Sequence, residues 1–182
     1  MAWTTPPTFV SGTVLTAANL NLLGADLNYL YAEPACFAYA SANISITTSG
    51  TWQRLSFDTN AYDNASMHST VTNTWKVILP DTAVYHITGT CAFAASNVGN
   101  LRAVDVELNN STTTQGSGTV LGLFREAPLV GSTITNVQVS FDYKATAGDF
   151  LSMFVQQDSG GALNANGGLN TTSLSAVRVS SG

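Results

Sequence analysis

From residue 35 onward, apolar and polar side chains alternate in short runs separated by Gly, Asn and Asp, the pattern of strands with one buried face. It predicts strands over residues 36–40, 44–46, 52–57, 74–79, 83–94, 103–108, 119–123, 133–143, 150–156 and 173–179. The longest run sets Val84, His86, Thr88 and Thr90 on a polar face against Tyr85, Ile87, Gly89, Cys91 and Phe93 on an apolar one. No helical pattern separates these strands, so parallel crossovers are excluded and an antiparallel β-sandwich of jelly-roll type is expected. Two tracts, 109–118 and 160–170, are rich in Gly, Asn, Ser and Thr. They read as rim loops, mobile or ordered by neighbouring subunits.

Residues 1–34 follow another rule. Trp3-Thr4-Thr5-Pro6-Pro7-Thr8 is extended and proline-stiffened. Thr16 then stands as an N-cap for a helix that Glu33-Pro34 ends. Along that helix Leu20, Leu23, Leu27 and Leu30 follow the three-four-three spacing of a coiled-coil seam. About four turns carrying Gly24 are marginal alone in water. The leucine stripe therefore needs a partner: the chain's own β domain, further copies of itself, or another protein. The expected organisation is an arm and helix at 1–34 and a β-sandwich at 35–182.

Composition changes the picture of the surface. Only 9% of the 182 residues are charged, against roughly a quarter in an ordinary soluble domain. Thr, Ser and Asn number 24, 18 and 15 and carry the solubility instead. A hydrophobic fraction of 45% excludes disorder, and no run of about 20 apolar residues exists to span a bilayer. With a net charge of −5 and Arg54, Lys76, Arg102, Arg125, Lys144 and Arg178 scattered singly, nucleic acid is not an expected partner. Nor is a membrane. The N-terminus shows no basic region followed by an apolar one, so synthesis and folding in a cytosol are expected. Cys36 and Cys91 are too few for a disulfide scaffold and read as two buried thiols, with a single bridge as the alternative.

Candidate chemistry is sparse. The two histidines, His68 in a loop and His86 mid-strand, lie outside any Gly-x-Ser-x-Gly elbow, so a nucleophilic triad is not expected. His86 reads more simply as a surface or subunit-contact residue. Asp58 and Asp63 could share a divalent cation, but acidic loop residues are commonly solvated turn formers, and no metal or cofactor is expected. Three Glu (Glu33, Glu107, Glu126) and eight Asp leave room for a glycosidase pair without marking one out. The Asn-x-Ser/Thr triplets carry no weight in so Asn-, Ser- and Thr-rich a chain.

The segment Met1-Ala2-Trp3-Thr4-Thr5-Pro6-Pro7 through Gly12-Thr13-Val14-Leu15-Thr16-Ala17-Ala18-Asn19-Leu20-Asn21 resembles the opening of many tailed-bacteriophage virion proteins. The remainder resembles the trimeric jelly roll shared by the complement globular head and tumour necrosis factor. The resemblance runs through Trp52–Thr59, Tyr62-Asp63, and Leu79-Pro80-Asp81-Thr82-Ala83-Val84-Tyr85, which parallels a Pro-x-x-Gly-x-Tyr lead-in to a long core strand. Leu108-Asn109-Asn110, the Ala147-Gly148-Asp149 hairpin and the terminal 173–179 strand follow in the same order. Ala83 and Asn110 depart from the family's glycines.

The resemblance implies a homotrimeric virion protein, assembled in the bacterial host cytoplasm and without enzymatic activity: a fibre, knob or decoration projecting from the particle. Its partners would be itself, other virion proteins of capsid or tail, and a host cell-surface glycan. The alternative is a carbohydrate-binding or glycan-degrading trimeric domain on the phage tail. Leu20, Leu23, Leu27 and Leu30 are the expected helix seam, and Trp3, Pro6, Pro7 and Phe9 the docking residues. Asn110, Thr113, Asn164 and Asn166 are the expected host- or glycan-contact positions. Hydroxyl and amide groups cost far less to desolvate than ions, so a sparsely charged sandwich loses little by burying its flanks against copies of itself.

Overall fold

The computed structural model describes residues 8–12, 14–31, 33–129 and 133–180, with the side chains of 28–31 outside the description. The chain forms two units, Met1–Glu33 and Pro34–Gly182. In the first, helix α1 spans Ala17–Tyr31. Thr16 caps it: its Oγ1 accepts from Asn19 N at 3.2 Å and its carbonyl from Leu20 N at 3.2 Å, satisfying donors that the first turn leaves without intrahelical partners.

The second unit is a two-sheet antiparallel sandwich. Its strands are β1 (Ala35–Tyr39), β2 (Ile44–Ile46), β3 (Trp52–Arg54), β4 (Thr59–Asp63), β5 (Lys76–Ile78), β6 (Ala83–Phe93), β7 (Arg102–Leu108), β8 (Thr119–Glu126), β9 (Thr135–Ala145), β10 (Phe150–Gln157), β11 (Leu163–Ala165) and β12 (Ser173–Ser180). One sheet runs β2-β11-β6-β12-β1-β4, with β9 on the other side of β6; the second runs β3-β10-β7-β8, with β5 also on β10. The ten predicted strands are all present. The run expected over 52–57 contracts to three residues; beyond them Leu55 N still donates to the Met153 carbonyl of β10 at 2.9 Å and Phe57 N to the Thr74 carbonyl at 2.8 Å, with both side chains buried in the core.

Two strands are additions to the expectation. β4 carries Thr, Asn, Ala, Tyr and Asp, with no apolar alternation to reveal it, and is held to β1 by Cys36↔Asp63 and Phe37↔Tyr62. β11 lies inside the tract 160–170, so that tract is not the loop expected. Leu163↔Ile46 and Ala165↔Ile44 pair it with β2. Gly167 N donates to Asn43 Oδ1 at 2.9 Å and Gly168 N to the Ala40 carbonyl at 2.8 Å.

Between the sheets lie Leu55, Phe57, Tyr85, Ile87, Phe93, Val104, Val106, Leu151, Met153 and Leu174, all fully buried. Cys36 and Cys91 are free thiols in this core. Burial pushes both up to about 12, Asp63 adding to the effect at Cys36 and a Thr172 hydrogen bond opposing it at Cys91. Gly89 on β6 faces β7, and a Cβ there would stand 2.7 Å from Val106 Cγ2. The close approach of the sheets requires the missing side chain.

The segments that carry the jelly-roll resemblance are joined in space. Leu79 N donates to the Asp149 carbonyl at 2.7 Å, and Gly148 N returns a bond to the Leu79 carbonyl at 2.9 Å. Gly148 takes φ +91° there, as the Ala-Gly-Asp turn requires. Asn109, not Asn110, takes the left-handed conformation at the other hairpin, with φ +56°.

Candidate functional site

Strand register decides which side chains share each outward face, because residues directly opposite on neighbouring strands point the same way. On the first sheet three rows cross from β1 through β12 and β6 to β9. They are Tyr39-Ser173-Thr90-Gln138, Phe37-Ser175-Thr88-Ser140 and Ala35-Val177-His86-Asp142. Tyr62 on β4 extends the middle row and packs on Phe37 with ring centroids 5.9 Å apart. Hydroxyls, small apolar groups and an aromatic edge make up this face; its charges are confined to the β9 margin, at Asp142 and Lys144, and to His86 when protonated.

The register also assembles a Ser-His-Asp chain that spacing along the sequence conceals. His86 Nδ1 lies 2.7 Å from Asp142 Oδ1, and His86 Nε2 lies 3.1 Å from Ser140 Oγ. That is the contact order of a hydrolytic triad. Yet the His86 and Asp142 side chains are 50% and 64% exposed, on a sheet face where water competes for each bond, and Ser140 Oγ shares its second bond with Thr88 Oγ1 at 3.0 Å. The arrangement ties β6 to β9. It presents no dry cleft in which a nucleophile would be activated.

The outward face of the second sheet is built differently. Its rows are Lys76-Ser152-Glu107, Arg54-Phe154-Asp105-Leu123 and Trp52-Gln156-Ala103-Arg125. Tract 109–118 folds over the middle of it. Glu107, fully buried, accepts Gly116 N at 2.6 Å on Oε1, and on Oε2 accepts Gly118 N at 3.1 Å and Asn110 Nδ2 at 2.8 Å. Asp105, also fully buried, accepts Gln115 Nε2 at 2.6 Å. Burial, and after it the Glu107 charge, push Asp105 up to about 6 against the opposing Gln115 bond. These are the two carboxylates that come together as a pair, and they are spent on holding the tract down.

Asn110 is therefore not a contact residue. It is 0% exposed, its amide divided between Glu107 and the Thr114 carbonyl, its Oδ1 accepting Thr112 N. Thr113 remains exposed, as does Asn164 on β11, while Asn166 is half-buried with its N–H on the Ala92 carbonyl. Of the expected anchor, Phe9 is 50% exposed and Trp3, Pro6 and Pro7 lie outside the described residues. Leu20 and Leu27 are 52% and 66% exposed, Leu23 is half-buried, and the Leu30 side chain lies outside the description.

Asp58 and Asp63 each serve a separate set of donors. Asp58 accepts Ser41 N at 2.7 Å and Ser41 Oγ at 2.6 Å, bonds that hold its carboxyl below the usual range. Asp63 accepts Met67 N and His68 N at 2.8 and 3.0 Å. No group of three His, Cys, Asp or Glu that could hold a metal occurs among the described residues, and no described helix is long and apolar enough to cross a membrane. His68 is buried at the base of the loop after β4, its Nδ1 2.7 Å from Asn60 Oδ1 and its Nε2 3.0 Å from the Thr74 carbonyl.

The basic residues are not scattered. Arg102 is buried, its guanidinium on the carbonyls of Ser96, Val98 and Leu101 and on Asp158, and Arg178 is buried as well. Of the remaining four, Arg54, Lys76 and Arg125 fall on one face of the second sheet with two of the three tryptophans. Arg54 Cζ stacks 3.8 Å from the Trp75 ring centroid, Lys76 Nζ lies 5.8 Å from Trp75 and 5.4 Å from Phe150, and Arg125 Cζ lies 5.9 Å from Trp52. None of the three forms a salt bridge among the described residues. Beside Lys76 opens a cleft of about 470 Å³ lined by Ser66, Ser69, Thr70, Thr72 and Asn73.

No protein-family model matches the chain, and no curated protein matches its sequence. Solved structures do match its fold. The Eiger tumour necrosis factor of S. frugiperda superposes with a TM-score of 0.59 at 15% identity, covering 81% of this chain and 92% of that one. Murine APRIL at pH 5.0 gives 0.56 at 14% identity, covering 81% of this chain and 99% of that one. Residues 34–182 thus have the jelly-roll fold of the tumour necrosis factor type.

Proposed function

We propose that this chain is a non-enzymatic structural protein of a tailed-bacteriophage virion. Three copies associate through the jelly roll, residues 1–34 anchor the trimer to capsid or tail, and the sandwich projects as a fibre, knob or decoration that contacts the host. The observation that carries the reading is the outward face of the first sheet. Across β1, β12 and β6 these rows carry no Asp, Glu, Lys or Arg; beside His86 they offer Thr, Ser, Ala, Val, Phe and Tyr. Such a face loses little on desolvation and gains from aromatic burial, the composition of an interface centre. The number three comes from the trimeric jelly roll that the sequence resembles, and the particle from the Trp-Thr-Thr-Pro opening.

Antibody raised to the intact chain labels assembled phage particles at the head or tail surface if this is right; particles that carry none of it refute the assignment. The glycan-degrading alternative finds little support, since the carboxylates that pair, Asp105 and Glu107, are closed beneath tract 109–118. The glycan-binding alternative retains one, the cleft beside Lys76.

A further inference from the structure

We propose that the cleft between the 66–73 loop and β5 binds an acidic saccharide, a sugar carrying a carboxylate or phosphate group, with the Lys76 ammonium as the anion's partner. For its biological setting this rests on the host-contact role proposed above; as chemistry it stands on the cleft alone.

Lys76 is half-buried, on the rim of the cleft, yet its ammonium makes no hydrogen bond and no ion pair among the described residues. What holds it is aromatic: the Trp75 and Phe150 rings, themselves edge to face at 5.6 Å. Ring quadrupoles position a cation without consuming its N–H donors, so all three remain for a ligand. Arg54, stacked 3.8 Å from the Trp75 ring centroid and outside the lining of the cleft, gives one N–H to the Thr112 carbonyl and is a second cation on the same aromatic group. Asp63, the carboxylate bound to this loop, turns both oxygens to backbone N–H groups, which offsets its charge.

The remainder of the cleft selects a sugar over a bare anion. Ser66 and Thr70 have hydroxyls, and Asn73 an amide, that make no hydrogen bond within the described protein. With Ser69 and Thr72 they offer a surface of mixed donors and acceptors at saccharide scale; about 470 Å³ falls within the usual range for small-ligand sites. The loop is also held in a sparsely populated conformation at both ends. Ser66 and Asn73 take φ +53° and +51°, values uncommon outside glycine that gather at ligand sites. Buried His68 fixes the base of the loop through Asn60 and Thr74.

Isothermal titration of the intact chain with four probes tests this: a galacturonic-acid oligomer, a phosphorylated oligomannoside, uncharged dextran and oligoglutamate. The expected result is binding of one or both acidic saccharides, weakening with added salt, and none of dextran. Which one binds tells carboxylate from phosphate. Lys76→Gln should lower that affinity by about tenfold or more with an unchanged melting temperature. Lys144→Gln, on the edge of the other sheet, should leave it unaltered. Failure of both acidic saccharides to bind, equal binding of dextran, oligoglutamate binding as tightly, or Lys76→Gln without effect would each overturn the assignment. A chain that binds but is absent from virions defeats the proposed function and leaves this site intact.

Discussion

The two sheets fill the same core and turn opposite kinds of surface outward. On the first, β6, β12 and β1 present hydroxyls and small apolar groups, and a hydrogen-bonded Ser140-His86-Asp142 chain lies open to water. On the second, two carboxylates are sealed under tract 109–118, and three of the chain's six basic residues stand around it. Polar groups on an open face can exchange partners with water at small cost, whereas those under the tract have only each other. Polar substitutions should therefore be mild on the first sheet and severe on the second.

The largest effect is expected at Glu107. Glu107→Ala strands the N–H groups of Gly116 and Gly118 and the Asn110 amide in a buried site, at a cost of about 3 kcal/mol or more, read from urea unfolding. A loss under 1 kcal/mol would mean that the tract is not held as described. Next comes the shared core. Gly89→Ala forces a methyl against Val106 Cγ2 at 2.7 Å and Met153 Sδ at 3.4 Å, for an overpacking cost of about 1–3 kcal/mol.

Asp105 gives the second sheet a pH dependence of its own. Its folded-state pKa is raised from 3.8 to about 6, so the folded protein holds that proton more tightly than the unfolded chain. Its contribution is then fully present below pH 3.8 and is lost as pH rises through about 6. Asp105→Asn should match the parent near pH 4 and exceed it at pH 7 in urea midpoint; parallel pH profiles would contradict the buried pair. The smallest effect is expected on the open face. His86→Ala, removing an exposed pair, should cost under about 1 kcal/mol in the dissociated chain. If the same substitution weakens self-association more than it weakens folding, the first sheet is the interface.

How far the sequence carried this contrast depends on what each feature needs. Strands β6 and β9 were legible because one-sided burial writes a period of two directly into the chain. β4 and β11 were not, since their order comes from neighbours: β11 is three residues held by β2 and the end of β6. The outward faces were the least legible. Asn110 looks like a loop amide until Glu107, three residues earlier, is seen beneath it. Arg54 and Lys76 are 22 positions apart and meet around Trp75 only because β3 and β5 pair the same edge of β10. Register, not composition, brought Ser140 to His86 across 54 residues.

The 9% charge content then divides into two parts: an almost uncharged sheet face suited to its own copies, and a cation-bearing face on the other side of the sandwich. Multi-angle light scattering of the intact chain at micromolar concentration tests that division most directly. The account predicts a mass three times the 19.0 kDa of one chain, reduced by charged substitutions at Ser175 or Thr88 and unaffected by Lys76→Gln. A stable 19.0 kDa monomer would contradict it.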